Sequence, residues 1–413
     1  MNREAKPRVV CLVAADVSAD QNAGRLATAI RRLAPQVRLI GAGGSAMRSA
    51  DLDAVIDSSG VSMVGPPDSM RTLGSVVAVW RRLTAMIEET QPDVAVLIDN
   101  ETLNMLFARW LRRRGIPTVF FFPPQIWFWG RWRLRWIAPI SSRVLCAFSE
   151  EAELYRAAGV DTIWTGHPLR DVVKVKEDPA RALCAIAIDP NRPLVVLMPG
   201  SRRQELNWHC KLMFAAAKIL RERDPNLQFA LPLASEEFRA LVETETQRSG
   251  LRDLAIYNPD SFAVLSQARA ILQCSGTATI ETGLLGVPSV IVYQCNRWRY
   301  HAARRLMYVK YIGMVNILLR EVVQPEFFHW RIDPVRIADE LWSLLTDETR
   351  RTRIRARLAT LADTMGPPGA LERAADAVLE LAFPRANAER NWARLNQFDN
   401  GDAADDAQVI AAK

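Results

Sequence analysis

Residues 193–208, PLVVLMPGSRRQELNW, decide the fold. A short apolar run leads into a turn that contains Gly200, and a charged amphipathic stretch follows the turn. That order predicts a buried strand, a tight loop and a helix. The start of the chain has the same order, because VVCLVAA at 9–15 precedes QNAGRLATAIRRLAP at 21–35. Residues 193–208 therefore open a second unit of the same kind.

Short apolar runs alternate with longer amphipathic stretches on both sides of residue 193. Examples are DVAVLID at 93–99, TVFFFP at 118–123, LQFALPLA at 227–234 and PSVIVY at 288–293. Strands that are apolar on both faces and separated by helices predict parallel sheets covered on both sides. The chain is thus predicted to be an α/β protein with two Rossmann-like, doubly wound domains and a ligand cleft between them.

The predicted domain boundary lies in a charged stretch rich in proline after residue 171. We assign residues 1–175 to the first domain and residues 176–385 to the second, which ends in closing helices. Residues 386–413 lose helical periodicity and are predicted to be a disordered tail. A chain of 413 residues is long enough for two domains with separate cores.

Composition limits the classes of partner. The net charge of +7 favours an anionic partner such as phosphate, nucleic acid or an acidic membrane surface. No nucleic-acid-binding module is recognisable, so we expect no nucleic acid partner. The apolar runs are shorter than the roughly 20 residues of a spanning helix, which predicts a cytoplasmic protein without a transmembrane segment. The six cysteines and four histidines have no metal-ligand spacing, so we predict no metal site.

Two loops of the second half carry candidate phosphate-binding residues. Ser201 and Arg202 follow a predicted strand, where backbone amides and a forked guanidinium suit phosphate. Ser275, Gly276 and Thr277 follow another strand, and Glu281 lies one turn into the next helix, where a carboxylate can accept ribose hydroxyls. Both patterns also fit capped helices without a ligand.

The first half contributes polar residues at two strand ends. Asp99 ends an apolar strand, where partial desolvation would raise its pKa toward that of a general base. Ser18 and Asp20 follow the first strand and would reach the same rim of the cleft. All three also suit helix N-termini without catalytic function. His167, in a His-Pro turn near the domain boundary, is a second-rank candidate.

Several motifs together resemble the lipid-A-disaccharide synthase family. They are VAADVSAD, VLIDNETLN, PPQIWFWGRWRLRWI, GHPLRD, LMPGSRRQEL and CSGTATIE, in family order, and the resemblance covers about residues 8–383. It implies a GT-B glycosyltransferase with the active site between its domains. The implied reaction is inverting transfer from UDP-2,3-diacylglucosamine to 2,3-diacylglucosamine 1-phosphate, giving the β-1,6 disaccharide 1-phosphate and UDP, without a metal or other cofactor.

The resemblance also implies roles for individual residues. Asp99 matches the family's proposed general base, and the UDP-binding segments are matched by Arg202, Ser275, Gly276, Thr277 and Glu281. Asn316 and Gln324 match positions in nucleotide-side loops. A homodimer is implied by analogy alone.

The first turn departs from the family pattern. Ala15, Asp16 and Ala19 replace a Gly, a Glu and a Gly, and Glu101-Thr102-Leu103 replaces a Pro-Asp-Phe triplet. Two alternatives therefore stay open: a divergent paralogue with another lipid or polyol acceptor, and a non-catalytic protein that binds UDP or lipid.

The stretch PPQIWFWGRWRLRWIAPI at 123–140 contains four tryptophans and no acidic residue. Its first half is predicted to continue a buried strand, so that Trp127 and Trp129 line the acceptor site. Its second half places Trp132 and Trp136 at helical i,i+4 spacing beside arginines, which suits an anionic inner-membrane surface. A helix that packs only on its own domain is the alternative.

Overall fold

The computed structural model describes residues 7–58, 70–99, 101–251, 253–258 and 262–383. The predicted tail at 386–413 lies outside these ranges. The strands are β1 (Val9–Ala14), β2 (Arg38–Gly43), β3 (Ala54–Asp57), β4 (Val94–Ile98), β5 (Thr118–Phe121), β6 (Arg143–Cys146), β7 (Thr162–Trp164), β8 (Leu194–Met198), β9 (Gln228–Pro232), β10 (Leu254–Tyr257), β11 (Ala270–Cys274), β12 (Ser289–Gln294) and β13 (Glu326–His329).

Helices connect nearly every pair of successive strands. They are α1 (Val17–Leu33), α2 (Ser45–Ser49), α3 (Met70–Thr90), α4 (Glu101–Arg112), α5 (Leu134–Ile137), α6 (Ser149–Ala157), α7 (Leu169–Val172), α8 (Pro179–Ala185), α9 (Arg203–Arg223), α10 (Arg239–Ser249), α11 (Ala263–Ser266), α12 (Ala278–Leu284), α13 (Arg297–Leu306), α14 (Met314–Leu319), α15 (Pro334–Thr346), α16 (Glu348–Leu358) and α17 (Ala370–Ala382). Short 3-10 helices span Arg131–Arg133, Ala138–Ile140, Glu236–Phe238 and Leu361–Met365. Within the described ranges, each helix is too short or too polar to cross a membrane.

Two parallel sheets confirm the predicted fold class. The first has the order β3-β2-β1-β4-β5-β6-β7 and the second has the order β10-β9-β8-β11-β12-β13. The central strands β1, β4 and β8 are buried on both faces, as their unbroken apolar sequences require. Apolar clusters cover both faces of each sheet. Each half of the chain is therefore a doubly wound domain.

The last described helix packs against the first domain. Helix α17 lies in the part assigned to the second domain, yet Ala374, Ala375 and Val378 pack in the core of the first. Arg143 fixes it there by donating to the carbonyl oxygen of Ala377 and to the Glu380 carboxylate, each at 2.8 Å. The alanine-rich face of α17 allows close packing against α1. The chain therefore crosses between the domains twice.

Candidate active site

Four loops meet where the strand order reverses in each sheet. In the first sheet the reversal lies between β1 and β4, whose carboxyl ends lead to Asp16 and Asp99. In the second it lies between β8 and β11, whose carboxyl ends lead to Arg202 and Ser275. Doubly wound sheets bind ligands at such switch points. The fold thus gathers the main candidates of both halves at one cleft.

Arg202 connects the two sides of the cleft. Its guanidinium lies 3.8 Å from the Asp16 carboxylate of the first domain and 3.4 Å from Glu205 on its own helix. Burial lowers its pKa, but Glu205, Asp16, Tyr293 and Asp99 together raise that pKa above the ordinary value. Among the described residues, none accepts a hydrogen bond from its buried Nε. The side chain is therefore a fixed cation with a donor left for an anionic ligand.

The backbone amides of the loop at 200–202 already donate hydrogen bonds within the chain. The amides of Ser201 and Arg202 donate to Oε2 of Glu205 at 3.0 and 3.3 Å. Gly200 has a φ of +121°, and a Cβ there would lie 2.4 Å from the same carboxylate oxygen. This loop therefore binds its own glutamate. The predicted contact of these amides with phosphate therefore competes with Glu205, whereas the Arg202 side chain is suited to bind a phosphate without that competition.

Asp99 lies at the end of β4 with a left-handed backbone, at a φ of +51°. Its amide donates to the carbonyl oxygen of Phe121 at 3.1 Å, and its own carbonyl accepts from Nδ2 of Asn104 at 2.6 Å. The residue is exposed, so the predicted partial desolvation of its side chain is wrong for this structure. The carboxylate instead lies in the field of the Arg202 cation.

The loop at 275–277 is exposed to solvent. Gly276 and Thr277 are exposed immediately before α12, whereas Ser275 is half-buried and its hydroxyl donates to the carbonyl oxygen of Ile312 at 2.6 Å. The helix start offers amides and a partial positive charge to an anion. This exposed helix start, rather than the loop at 200–202, is thus suited to bind an anion through its backbone.

Arg25 on α1 is a cleft residue that the sequence analysis missed. Its positive charge interacts with the Glu281 carboxylate across the domain junction. Its guanidinium also donates a long hydrogen bond of 3.4 Å to Oδ1 of Asn22. Burial raises the pKa of Glu281 above its ordinary value of 4.5, and the Arg25 cation opposes that rise. An arginine in the middle of an amphipathic helix carries no sequence signal of this role, because only the tertiary fold brings α1 to α12.

The raised pKa of Glu281 predicts opposite effects of Glu281→Gln on binding and stability. Folding favours the protonated form, so the ionised carboxylate lowers stability at pH 7.5, and this cost disappears as pH falls through the raised pKa toward 4.5. We expect the variant to melt at higher temperature than the parent at pH 7.5 and at the same temperature near pH 4.5. The ribose-binding role that the resemblance implies for Glu281 also predicts about tenfold weaker UDP binding, since a charge-assisted hydrogen bond would be lost.

Calorimetric titration with UDP and melting curves at the two pH values check this prediction. Glu237→Gln is the matched control, because Glu237 is exposed and forms no ion pair among the described residues. A Glu281→Gln variant that melts below the parent at pH 7.5 would contradict the prediction that burial of the ionised Glu281 carboxylate lowers stability.

Asp20 is tied into the first domain. Its carboxylate accepts from the amides of Gly44, Ala46 and Met47 at 2.6, 2.8 and 3.2 Å. A Cβ on Gly44 would come within 2.7 Å of that carboxylate, so the glycine is required for the contact. Asp20 thus holds the loop after β2, Ser18 stays half-buried on the first turn of α1, and Asp16 caps that helix through the amide of Ala19 at 2.9 Å.

Asn316 and Gln324 are fully buried and support the nucleotide-side loop from behind. Nδ2 of Asn316 donates to the carbonyl oxygen of Gln324 at 2.6 Å and to Glu326 at 2.8 Å, while its Oδ1 accepts two amides. Glu326 in turn accepts from the amides of Ile312 and Gly313. Because Ile312 binds Ser275, these side chains position the phosphate loop, and the structure does not place them in contact with the cleft.

His167 is a structural residue. Burial, with a smaller contribution from Arg25, lowers its pKa to about 3. Its Nδ1 accepts from the amide of Leu169 at 3.2 Å, and its ring lies against Phe122 and Phe148. A neutral, enclosed imidazole is a poor proton donor at neutral pH. The suggestion that His167 takes part in catalysis is therefore not supported by its position.

The two tryptophans assigned to the acceptor site differ in exposure. Trp127 is 9% exposed and its ring lies 4.2 Å from Phe128 and 5.3 Å from Phe148, between ring centroids. Trp129 is 37% exposed, pairs through its backbone with Met307 of the second domain, and lies under the guanidinium of Arg133 at 3.7 Å. This stretch therefore joins the two domains beside the cleft.

The fold and the cleft define a class of protein. Two doubly wound domains place a carboxylate opposite an arginine and an open helix start, which is the arrangement of a GT-B glycosyltransferase that uses a UDP-sugar. A UDP-GlcNAc 2-epimerase of Neisseria meningitidis, solved with UDP-GlcNAc, has a similar fold, with a TM-score of 0.61 at 14% identity over 90% of this chain and all of that one.

Relatives identify the family. A lipid-A-disaccharide synthetase family model matches residues 10–375. Lipid-A-disaccharide synthases of Geobacter metallireducens and Syntrophus aciditrophicus are 35% and 33% identical, over 90% and 91% of this chain and 97% and 98% of those proteins. The chain therefore belongs to the lipid-A-disaccharide synthetase family, and the resemblance found in the sequence is confirmed.

Proposed function

We propose that the protein transfers 2,3-diacylglucosamine from UDP-2,3-diacylglucosamine to 2,3-diacylglucosamine 1-phosphate. The observation that carries this proposal is the position of the Arg202 guanidinium. It interacts electrostatically with the Asp99 carboxylate and lies 3.8 Å from the Asp16 carboxylate across the cleft. A cation for a departing diphosphate and a carboxylate for an incoming hydroxyl are thereby brought to one place.

Asp99, Arg202 and Glu281 each have one role in the proposed reaction. Asp99 takes the proton of the acceptor's 6-hydroxyl as that oxygen attacks C1 of the donor sugar. The bond from C1 to the diphosphate oxygen breaks from the opposite face, which inverts the stereochemistry. Arg202 and the amides of Gly276 and Thr277 bind the negative charge that collects on UDP, and Glu281 holds the ribose.

The reaction is tested by supplying both acylated substrates and following UDP release together with product mass. We expect UDP and a tetraacyl disaccharide 1-phosphate in equal amounts. UDP release only with a different lipid or polyol acceptor would favour a divergent paralogue. Calorimetric binding of UDP without turnover on any acceptor would identify a non-catalytic protein.

We also propose that a small aromatic surface docks on the inner membrane. It consists of Trp132, Arg135 and Trp136, at the 3-10 and α5 turns. The two indoles are 48% and 40% exposed and contact each other edge to face at 4.9 Å, and Arg135 lies 4.9 Å from the Trp136 ring. Exposed tryptophan beside arginine matches the headgroup layer of an anionic bilayer.

Replacing this aromatic surface is expected to weaken membrane binding. The triple variant Trp132→Ser, Arg135→Gln, Trp136→Ser should lower partitioning onto phosphatidylglycerol-containing liposomes by at least tenfold and leave UDP affinity unchanged. Sedimentation with liposomes measures the first quantity and calorimetry the second. Val335→Ser with Arg336→Gln, on α15, is the control. Unchanged liposome binding in the triple variant would assign the aromatic surface to intramolecular packing.

Self-association stays a prediction from the resemblance. We propose a homodimer on that basis, and light scattering of the eluting peak in size-exclusion chromatography measures the mass directly. A mass of one chain at micromolar concentration would reject it.

A further inference from the structure

A cavity of about 530 Å³ lies between the domains on the side of Trp127. Its apolar wall in the first domain is formed by Trp127 and by Leu154 of α6, and its apolar wall in the second by Val309, Tyr311 and Ile317. This volume lies within the range of roughly 300–1,000 Å³ for pockets that enclose small molecules. Trp127 follows β5, the neighbour of the strand that ends at Asp99, so the cavity lies at the same carboxyl edge of the first sheet as Asp99.

Among the charged side chains at the rim of the cavity, more cations than carboxylates lack an ion-pair partner in the described structure. Arg320 is paired with Glu150 across the domains at 3.0 Å. Arg131 and Lys310 also line the cavity, and no described carboxylate lies within ion-pair distance of either. Arg131 is instead held against the Tyr308 ring, with 5.1 Å between guanidinium and ring centre. Glu153 is the remaining carboxylate of the lining. Two cations of the lining thus have no carboxylate partner in the described structure.

We propose that this cavity receives an acyl chain of the acceptor, with the acceptor's phosphate bound by Arg131 and Lys310. The inference rests on the proposed function. The donor carries its phosphates only in UDP, and Arg202 with the 275–277 loop already accounts for those. The acceptor carries a separate phosphate beside its acyl chains. An apolar cavity with unpaired cations at its rim matches that second combination of groups.

Trp127 supplies an independent reason for a polar atom at the apolar wall. Its Nε1 is buried, and among the described residues none accepts its hydrogen bond. A buried donor without an acceptor is unfavourable and is rare in folded proteins. Because Nε1 is closed to solvent, the indole would have to turn toward the cavity for the ester or amide carbonyl of an acyl chain to accept this hydrogen bond.

Acceptors of increasing acyl length test the apolar part of the proposal. For the full-length protein at saturating donor, kcat/KM should rise about fourfold per methylene until the cavity is filled. Leu154→Trp narrows the cavity from the first domain and should lower kcat/KM at least tenfold for the longest acceptor, with less than twofold change for the shortest. Leu106→Trp, at an exposed position of α4, is the matched control. Equal effects of Leu154→Trp on all chain lengths would overturn the proposal.

The phosphate part is tested with Arg131→Gln and Lys310→Gln together and with an acceptor that lacks the phosphate. The double variant should raise the KM of the phosphorylated acceptor at least tenfold and leave unchanged both the KM of the donor and that of the phosphate-free acceptor. Dodecyl phosphate, below its micelle concentration, should compete with the acceptor and not with the donor. Competition with the donor alone would overturn the assignment.

The two proposals fail in different ways. Absence of turnover with every acylated acceptor rejects the proposed function, and this inference with it. Normal turnover with no dependence on Leu154, Arg131 or Lys310 rejects the cavity assignment alone.

Discussion

Asp99→Asn is expected to lower the rate of UDP release by roughly 100- to 10,000-fold while the dissociation constant of UDP changes less than twofold. An amide cannot accept the hydroxyl proton, and a general base contributes roughly 10²–10⁴-fold to a rate. UDP binding should persist because the proposed contacts to the diphosphate and the ribose come from the second domain. The result would assign the loss to chemistry rather than to binding.

Asparagine is the right replacement because of the backbone at this position. The φ of +51° is a conformation that Asp and Asn adopt far more readily than other residues, so alanine would add backbone strain to the loss of the base. Asp253→Asn is the matched control, since that carboxylate is 80% exposed and pairs with Arg221. Single-turnover rates separate the chemical step from product release. A rate for Asp99→Asn within tenfold of the parent would remove Asp99 from the mechanism.

The fold could be predicted because its signal is local and repeated. Apolar runs such as LVVLM at 194–198 need no partner information to be recognised as strands buried on both faces, and the restart at residue 193 sets the second sheet. The same reasoning located the four switch-point loops, because strand ends can be read from where the apolar run stops. Fold class and the gathering of Asp99, Arg202 and Ser275 at one cleft both follow from this pattern.

Contacts made across the chain could not be predicted in the same way. Helix α17 has the pattern of any amphipathic helix, and only the packing of its alanines against α1 assigns it to the first domain. Arg25 and Glu281 are 256 positions apart, so no spacing rule connects them. The carboxylate of Glu205 accepts hydrogen bonds from amides of the 200–202 loop. Composition does not reveal that a carboxylate of the chain competes with a ligand for these amides.

Arg202→Ala is expected to have the second large effect, with a loss of at least 100-fold in kcat/KM for the UDP-sugar. A preorganised cation that meets charge developing on a leaving group contributes about 10²–10³-fold to a rate. Arg202 is suited to this proposed task, because Asp16 and Glu205 lie beside its guanidinium and its buried Nε has no described acceptor. The alanine variant leaves Asp16 and Asp99 without the cation that lies between the two domains.

Comparison with Arg203→Ala isolates the effect of position, since Arg203 adjoins Arg202 but is exposed and lies 5.6 Å from the Phe238 ring. We expect Arg203→Ala to stay within threefold of the parent. Arg202→Lys should recover only part of the activity, because an ammonium cannot reproduce the planar fork that binds two phosphate oxygens. Calorimetry with UDP and initial rates at varied donor distinguish ground-state binding from transition-state stabilisation: an equal fall in kcat and kcat/KM indicates a contact made mainly as UDP departs. If Arg202→Ala and Arg203→Ala were equally active, the diphosphate would have to be neutralised elsewhere in the cleft, and Arg25 would be the first residue to replace.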